Sequence, residues 1–380
     1  MEIDMKGIKK ISLSVCVALA ILILTNLTYA KSKPEQDIIK FGFIGPLTGQ
    51  AASYGDAQKR GIQIAVEEIN SSGGINGRNI KVVFEDDQMD PNKALSAIKK
   101  LIDIDKVTAI IGETTTAGTL AIAGTANKRK IVLLSPSASG EKVTDAGDYV
   151  FRVAPSDSFQ AIVAAEFIHH KGFKKGTIVY TNDDWGNGLK KAFEKSLGRL
   201  GGEILLAEGC TPGTQDFRTI LVKIMDIRPE FIYIPLYLDE SATFLRQVKE
   251  LKVNSQILGA DNFSDKALLT TAGSTADGVI FTMPAEPHNE EYSSYLAKYM
   301  AKYNENGNYT SASAYDCVYL LTDSVRKSSL NGEQIKNALY NVKNYKGASG
   351  LISFDNNGDV TTKVFSVIKI EDGQYKTITD

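Results

Sequence analysis

Cysteine is scarce in this chain: three residues in 380, at positions 16, 210 and 317. So few cysteines exclude a small scaffold stapled by several disulfides. Histidine is as scarce. His169 and His170 adjoin in a helix-like pattern and His288 lies near a turn. None has a cysteine or carboxylate partner at metal-ligand spacing, so no metal site is legible. Also absent are a Gly-x-Ser-x-Gly elbow, a phosphate loop and a Gly-x-Gly-x-x-Gly turn, which leaves the commonest hydrolase and nucleotide readings unsupported. Asp355-Asn-Asn-Gly-Asp359 has the look of a calcium loop, but Val360 stands where that loop needs glycine, so a β-turn is expected. Neither excess charge is present: 43 basic residues face 45 acidic ones, for a net charge of −2. A nucleic-acid partner would need a basic face. No enzyme activity, cofactor or metal is expected.

What is there is ordinary globular composition, 43% hydrophobic and 23% charged, in a chain long enough for two cores. The amino terminus differs. Lys6, Lys9 and Lys10 precede an apolar run over 11–24, which ends before Thr28-Tyr29-Ala30. This is the build of a secretory signal peptide over 1–30, and the run is short for a membrane span. Cys16 follows Leu13-Ser14-Val15, a loosely lipobox-like order, but most of the apolar run comes after it. The mature chain would start near Lys31, in the periplasm. An oxidising compartment permits a Cys210–Cys317 disulfide. The two are distant in sequence and Cys317 sits in a helical pattern, so two free, buried thiols are expected.

From residue 38 onward, short β-branched runs alternate with amphipathic ones. Strand-like segments fall at 38–44, 80–84, 107–111, 131–134 and 149–153, and again at 177–180, 203–207, 231–234, 256–258 and 279–282. Between them Ile62, Ala65, Val66 and Ile69 mark one face of a helix at i, i+3, i+4 and i+7. Asp90-Pro91 opens another. Such alternation argues for α/β lobes with mainly parallel sheets flanked by helices. Past Met283-Pro284 two longer helices, 290–303 and 311–328, follow with no strand between them. Two strand-like runs, 350–354 and 363–370, close the chain.

The stretch 106–140 concentrates the chemistry. Val107-Thr-Ala-Ile-Ile111 and Ile131-Val-Leu-Leu134 flank a helical run, and both end in hydroxyl-rich loops, Thr114 to Thr116 and Ser135-Pro-Ser-Ala-Ser139. Ligands of open α/β sheets sit beyond the carboxyl ends of strands. The helix after Gly112 starts there, with free N–H groups and the positive end of its dipole, which suits a carboxylate. The plainer alternative is that the threonines only cap the helix.

Lys40 to Asp56, Gly73-Gly-Ile-Asn-Gly77, Ile111-Gly112 and Ser135-Pro136 resemble, in order and spacing, the periplasmic substrate-binding proteins of branched-chain amino acid ABC transporters. The resemblance runs over roughly 38–370. It implies a two-lobed type I periplasmic binding fold with three hinge crossovers, near Pro155, Pro284 and the Asp355 turn, and a ligand between the lobes. The lobes would be 31–155 plus 284–354, and 156–283 plus 355–380. It further implies that Thr115, Thr116, Ser137, Ala138 and Ser139 hold an α-carboxylate and that Tyr54 edges the cleft. Trp185 and Tyr237 would cover a side chain from the second lobe, Asp261 would face an ammonium, and Tyr315 would add an aromatic. Family members often carry Glu where Asp261 stands and Tyr where Trp185 stands; an occasional first-lobe disulfide is replaced by Asp87 and Thr115. The plainer roles are a helix cap for Asp261 and lobe packing for Trp185. Glu113, Asp86 and Asp87 are expected to be solvated or capping, with Glu113 turned away from the anion.

The function implied is the solute-binding component of an importer: a monomer taking a branched-chain or other mainly apolar amino acid and docking on a membrane permease. Two alternatives stay open. One is a sensor for an amide, urea or aromatic acid feeding a receptor; the other is a secreted hydrolase, for which no nucleophile–base pair is visible.

Overall fold

The computed structural model describes residues 38–49, 51–328 and 330–378. The expected signal peptide lies outside them. In the first lobe β1 (Ile38–Gly45), β2 (Asn79–Asp86), β3 (Ala109–Gly112), β4 (Leu133–Ser135) and β5 (Val150–Arg152) form one sheet in the order 2-1-3-4-5. β1 pairs with β3, β3 with β4 and β4 with β5, all parallel. Three helices connect them: α1 (Ala52–Ser71), α2 (Pro91–Lys100) and α3 (Thr116–Arg129). Asp90 caps α2, accepting from the Asn92 amide, and Pro91 takes the first turn, where no N–H is needed.

The strands are nearly wholly apolar because both faces are covered. Adjacent residues of β3 show it: Ile111 packs into a core with Phe41, Phe43 and Ile62, whereas Ile110 points the other way, toward Ile98 and Ile122. The terminal helix pair supplies the first of these covers. α9 (Glu290–Tyr303) and α10 (Tyr309–Lys327) return to this lobe, and α10 lays Ala314, Cys317 and Leu321 against the core beside α1.

The second lobe repeats the plan. α4 (Asp157–His170) leads to β6 (Lys175–Thr181), α5 (Asp184–Arg199), β7 (Glu203–Cys210), α6 (Arg218–Ile227) and β8 (Phe231–Ile234). α7 (Leu238–Glu250), β9 (Gln256–Gly259), α8 (Lys266–Ala272) and β10 (Ile280–Pro284) follow. Read from β7, the sheet runs 7-6-8-9-10, the same 2-1-3-4-5 order, and then gains β13 (Phe365–Glu371) and β14 (Gln374–Thr377) antiparallel at its edge. The repetition is invisible in the sequence because it lies in topology. α8 and β14 were not legible in the sequence, nor was β11 (Tyr345–Gly347), which pairs with β12 (Gly350–Ile352) as a separate ribbon after α11 (Gly332–Tyr340).

The chain passes between the sheets after β5, after β10 and before β13. This last passage comes later than the Asp355 turn. Phe354 and Val360 still pack into the first core, and the Asp359 carboxylate still accepts from Arg152 at 2.6 Å, so the chain leaves that lobe only past Val360. The turn itself is a plain one: Asp355 Oδ1 accepts from the amides of Asn357 and Asp359. Cys210 and Cys317 are free and buried, each in a different core. Among the described residues no helix is long and apolar enough to cross a membrane.

Candidate functional site

A 2-1-3-4-5 sheet has its switch point between the first and third strands, where the loops leave in opposite directions and open a crevice. In one lobe that places the loops after β1 and β3 together; in the other, the loops after β6 and β8. The four meet across a cavity of about 100 Å³. Tyr54, Thr115, Thr116, Ser137 and Ser139 line it from the first lobe, and Trp185, Tyr237 and Asp261 from the second. The Tyr54 hydroxyl reaches the Asn262 carbonyl at 3.5 Å, and Lys142 pairs with Asp184 at 2.6 Å, so the lobes are closed on one another.

Two residues expected at the cleft lie elsewhere. Ala138 packs its methyl among Ile122 and Val143 behind the loop. Tyr315 sits on the far side of α10, where its hydroxyl donates to Glu68 Oε2 at 2.6 Å. Tyr309 takes the cleft position instead. Six residues turn a helix by roughly 600°, which leaves the two side chains about 120° apart.

The first-lobe wall is tightly braced. Ser135 Oγ donates to the Glu113 carbonyl at 2.6 Å and accepts from the Ala138 amide at 2.9 Å. Ser137 Oγ donates to the Thr114 carbonyl at 2.6 Å and accepts from Gln58 Nε2 at 2.8 Å. The Gly140 amide donates to Thr116 Oγ1 at 3.0 Å. From below, the fully buried Arg152 donates to the carbonyls of Ser139 and Gly140 at 2.7 and 2.9 Å, while Asp359 takes its other edge in a two-pronged pair.

Thr115 turns out to be the capping residue: its hydroxyl accepts from the Gly118 amide at 3.1 Å and donates to Glu113 Oε2 at 2.7 Å. Its amide also goes to Glu113, at 2.8 Å. Thr116, first residue of α3, keeps its amide outside the helical ladder and lines the cavity. Glu113 does face away from the cavity, yet it is buried rather than solvated. Burial, then the charge of Asp87, push its carboxyl well above the usual range. Asp87 is buried too, whereas Asp86 holds the amides of Leu47 and Thr48.

The second-lobe wall is aromatic and acidic. α5 begins at Asp184 because Asp183 caps it by accepting from the Gly186 amide at 2.8 Å. Trp185 therefore stands on the first helical turn, stacked on Tyr237, whose hydroxyl donates to Asp183 Oδ2 at 2.7 Å. Asp261 follows β9 at the cavity edge, where burial raises its carboxyl to about 6 and a contact from Gln160 Nε2 at 3.5 Å works against the rise. Gln160, Asn262, Tyr309, Met283 and Phe365 also line the cavity and were not legible in advance. A residue after a strand end announces itself; Gln160, inside α4, looks like any inward helix residue.

The arrangement can hold a small zwitterion, with α3 and its hydroxyls at one end, an acid at the other and rings around the middle. Among the described residues no cluster of His, Cys, Asp or Glu could hold a metal ion. Comparison with known proteins agrees with the geometry. The chain is 30% identical over 341 residues to the Leu/Ile/Val-binding protein BraC3 of Rhizobium johnstonii, covering 88% of this chain and 92% of that one. It superposes with a TM-score of 0.83 on the branched-chain amino acid transporter substrate-binding protein LivJ of Streptococcus pneumoniae in complex with isoleucine, at 30% identity over 90% of this chain and 99% of that one. With the leucine-binding protein LivK of Thermotoga maritima the TM-score is 0.84, again at 30% identity, covering 90% and 98%. Residues 38–374 match the periplasmic binding protein family across both lobes, and the chain belongs to that family.

Proposed function

We propose that this protein is the extracytoplasmic solute-binding component of an ABC importer for a branched-chain or other mainly apolar amino acid. The observation that carries the reading is the polarity of the cleft. One wall ends in the amino terminus of α3 with Thr116 and Ser139; the opposite wall carries Asp261, and Trp185, Tyr237 and Tyr54 enclose the space between. A carboxylate is favoured at the first wall by the helix dipole and free amides. An ammonium is favoured at the second by a charge-assisted bond in a partly dry site. A ligand touches both walls only when the lobes are closed, so binding shifts the hinge equilibrium toward closure, and a membrane permease reads the closed form. The leucine, isoleucine and valine in the relatives' names support an apolar side chain.

The reading includes a signal peptide over 1–30, a periplasmic location and a monomer that acts without catalysis. It assigns ligand contacts to Tyr54, Thr116, Ser137, Ser139, Trp185, Tyr237 and Asp261. Calorimetry against the twenty amino acids tests it. Leucine, isoleucine or valine should bind, and Asp261→Ala should weaken the tightest of them about a hundredfold, in the lower part of the range for a buried charged partner. Unchanged affinity in that variant would remove the ammonium site, and binding of none of the twenty would remove the function.

A further inference from the structure

The second-lobe side of the cleft has more acceptors than donors. Both carboxylate oxygens of Asp157 lack a hydrogen-bond partner, as do Gln160 Oε1 and Asn262 Oδ1, and the three side chains are 0%, 1% and 5% exposed. Gln160 and Asn262 line the cavity, next to Asp261. Buried acceptors without donors are costly, and native proteins rarely leave several together. Asp157 opens α4 directly beneath the carboxylate loop, its amide donating to the Ser139 carbonyl at 2.9 Å. One turn on, Gln160 sits beside Asp261. Gln160 therefore lines, and Asp157 backs from one helical turn away, the wall where the proposed ligand puts its ammonium, a group with three donors and a positive charge.

The groups around the pair offer no cation to balance it. Arg152, on β5, is committed to Asp359 and to two carbonyls. Asp183, before α5, is a third acid, held by Tyr237. Tyr233 on β8 and Tyr309 at the start of α10 are buried, neutral phenols. Burial, then the neighbouring Asp261 charge, push the Asp157 carboxyl well above its ordinary range, and the Ser139 hydroxyl and Arg152 only partly oppose them. Two acids of which one raises the other do not both ionise cheaply in a dry site.

We propose that Asp157 is a second acid of the cleft, that it shares one proton with Asp261 while no cation is bound, and that the ligand's ammonium takes the place of this proton. The inference rests on the amino-acid reading above and deepens it: binding is coupled to release of a proton. The stoichiometry is simple. The empty pair holds one proton and one negative charge; the occupied pair is doubly ionised around one ammonium, and the proton passes to solvent. Affinity then falls as pH falls, by up to about tenfold per pH unit where the empty pair takes up protons that the complex lacks. Anionic or neutral ligands gain nothing from the exchange.

The test uses L-leucine as probe and the full mature chain. Calorimetry at pH 7 in phosphate and in Tris, whose ionisation enthalpies differ, counts the protons released. The wild type should release about one and Asp157→Asn close to none, and between pH 7 and pH 5 the variant should lose far less affinity than the wild type. Zero release from the wild type, or the same release from both, overturns the proposal. Asp157→Ser serves should the asparagine variant fail to fold. Infrared difference spectra of the ligand-free proteins give a readout that needs no leucine. Protonated-carboxyl absorption at pH 7 should be smaller in Asp157→Asn than in the wild type by one carboxyl, Glu113 contributing equally to both, and equal absorption also overturns the proposal. Failure of leucine to bind would count against the transport reading alone, since that absorption still decides where the proton sits.

Discussion

Trp185 lies face to face with Tyr237, ring centroids 4.9 Å apart and 24° from parallel. The stack is made by two loops from neighbouring strands, β6 and β8, and Tyr237 is pinned by its bond to Asp183. It presents a flat, stiff wall to the cavity. Trp185 is the only tryptophan in the chain, so its emission reports on the cleft alone. Titration with leucine should give a saturable fluorescence change with the midpoint found by calorimetry. Trp185→Ala should raise the Kd about thirtyfold or more, equivalent to roughly 2 kcal/mol for a buried aromatic anchor. A loss under threefold would mean that the ring packs the lobe and leaves the ligand untouched.

Tyr315 provides the opposite case. Its hydroxyl is bound to Glu68, which also takes Tyr319 at 3.1 Å and Lys298 at 2.5 Å. Tyr315→Phe should leave leucine affinity within about twofold and cost about 1 kcal/mol of stability in urea unfolding, the usual worth of one such bond. A large loss of affinity with stability intact would return Tyr315 to the cleft.

These two tyrosines show where sequence is informative. Trp185, Tyr237 and Asp261 each follow a strand, and in a parallel sheet every strand end points to the same rim, so local pattern alone places them near a ligand. Tyr309 and Tyr315 share one helix, and which of them faces the cleft depends on how α10 is rotated against α1, a matter of packing partners more than two hundred residues away in sequence. The same applies to Arg152, whose anchor Asp359 comes from the far end of the chain. Thr115 followed the local rule for helix caps, and Glu113 broke the local rule for acids: it is buried, with Asp87, just after β2, as its charged neighbour.

Arg152 and Asp359 join β5 to the last turn of the first lobe, and the same guanidinium holds the Ser139 and Gly140 carbonyls. Arg152→Met should therefore act twice. It leaves the Asp359 carboxylate with the Thr144 hydroxyl but no cation and takes one donor from each of two carbonyls, which should cost about 3–5 kcal/mol of stability, the range for breaking a buried pair from one side. It also frees the loop that carries Ser137 and Ser139, so leucine binding should weaken at temperatures where the variant is still folded. Urea unfolding and calorimetry on the same preparation separate the two effects. A stability loss with unaltered affinity would show that the loop is held by its own serine network.

Glu113 sits behind the anion end of the cleft with its carboxyl raised by burial and by Asp87. The sign of its effect on stability follows from where the proton goes. In the unfolded chain the group titrates near 4.5; in the folded chain it titrates higher, so the folded state holds the proton over the interval between. Its contribution is fully present below about pH 4.5 and is lost as pH rises through the folded value. Asp87, raised in the same direction, adds to the slope. Glu113→Gln keeps the shape and cannot ionise, so its stability should fall less than that of the wild type between pH 5 and pH 8. Thermal melts across that range are the measurement. Parallel curves for the two proteins would mean that Glu113 is ionised in the fold, with the Thr115 amide and hydroxyl holding a carboxylate, and the proton would have to be assigned to Asp87.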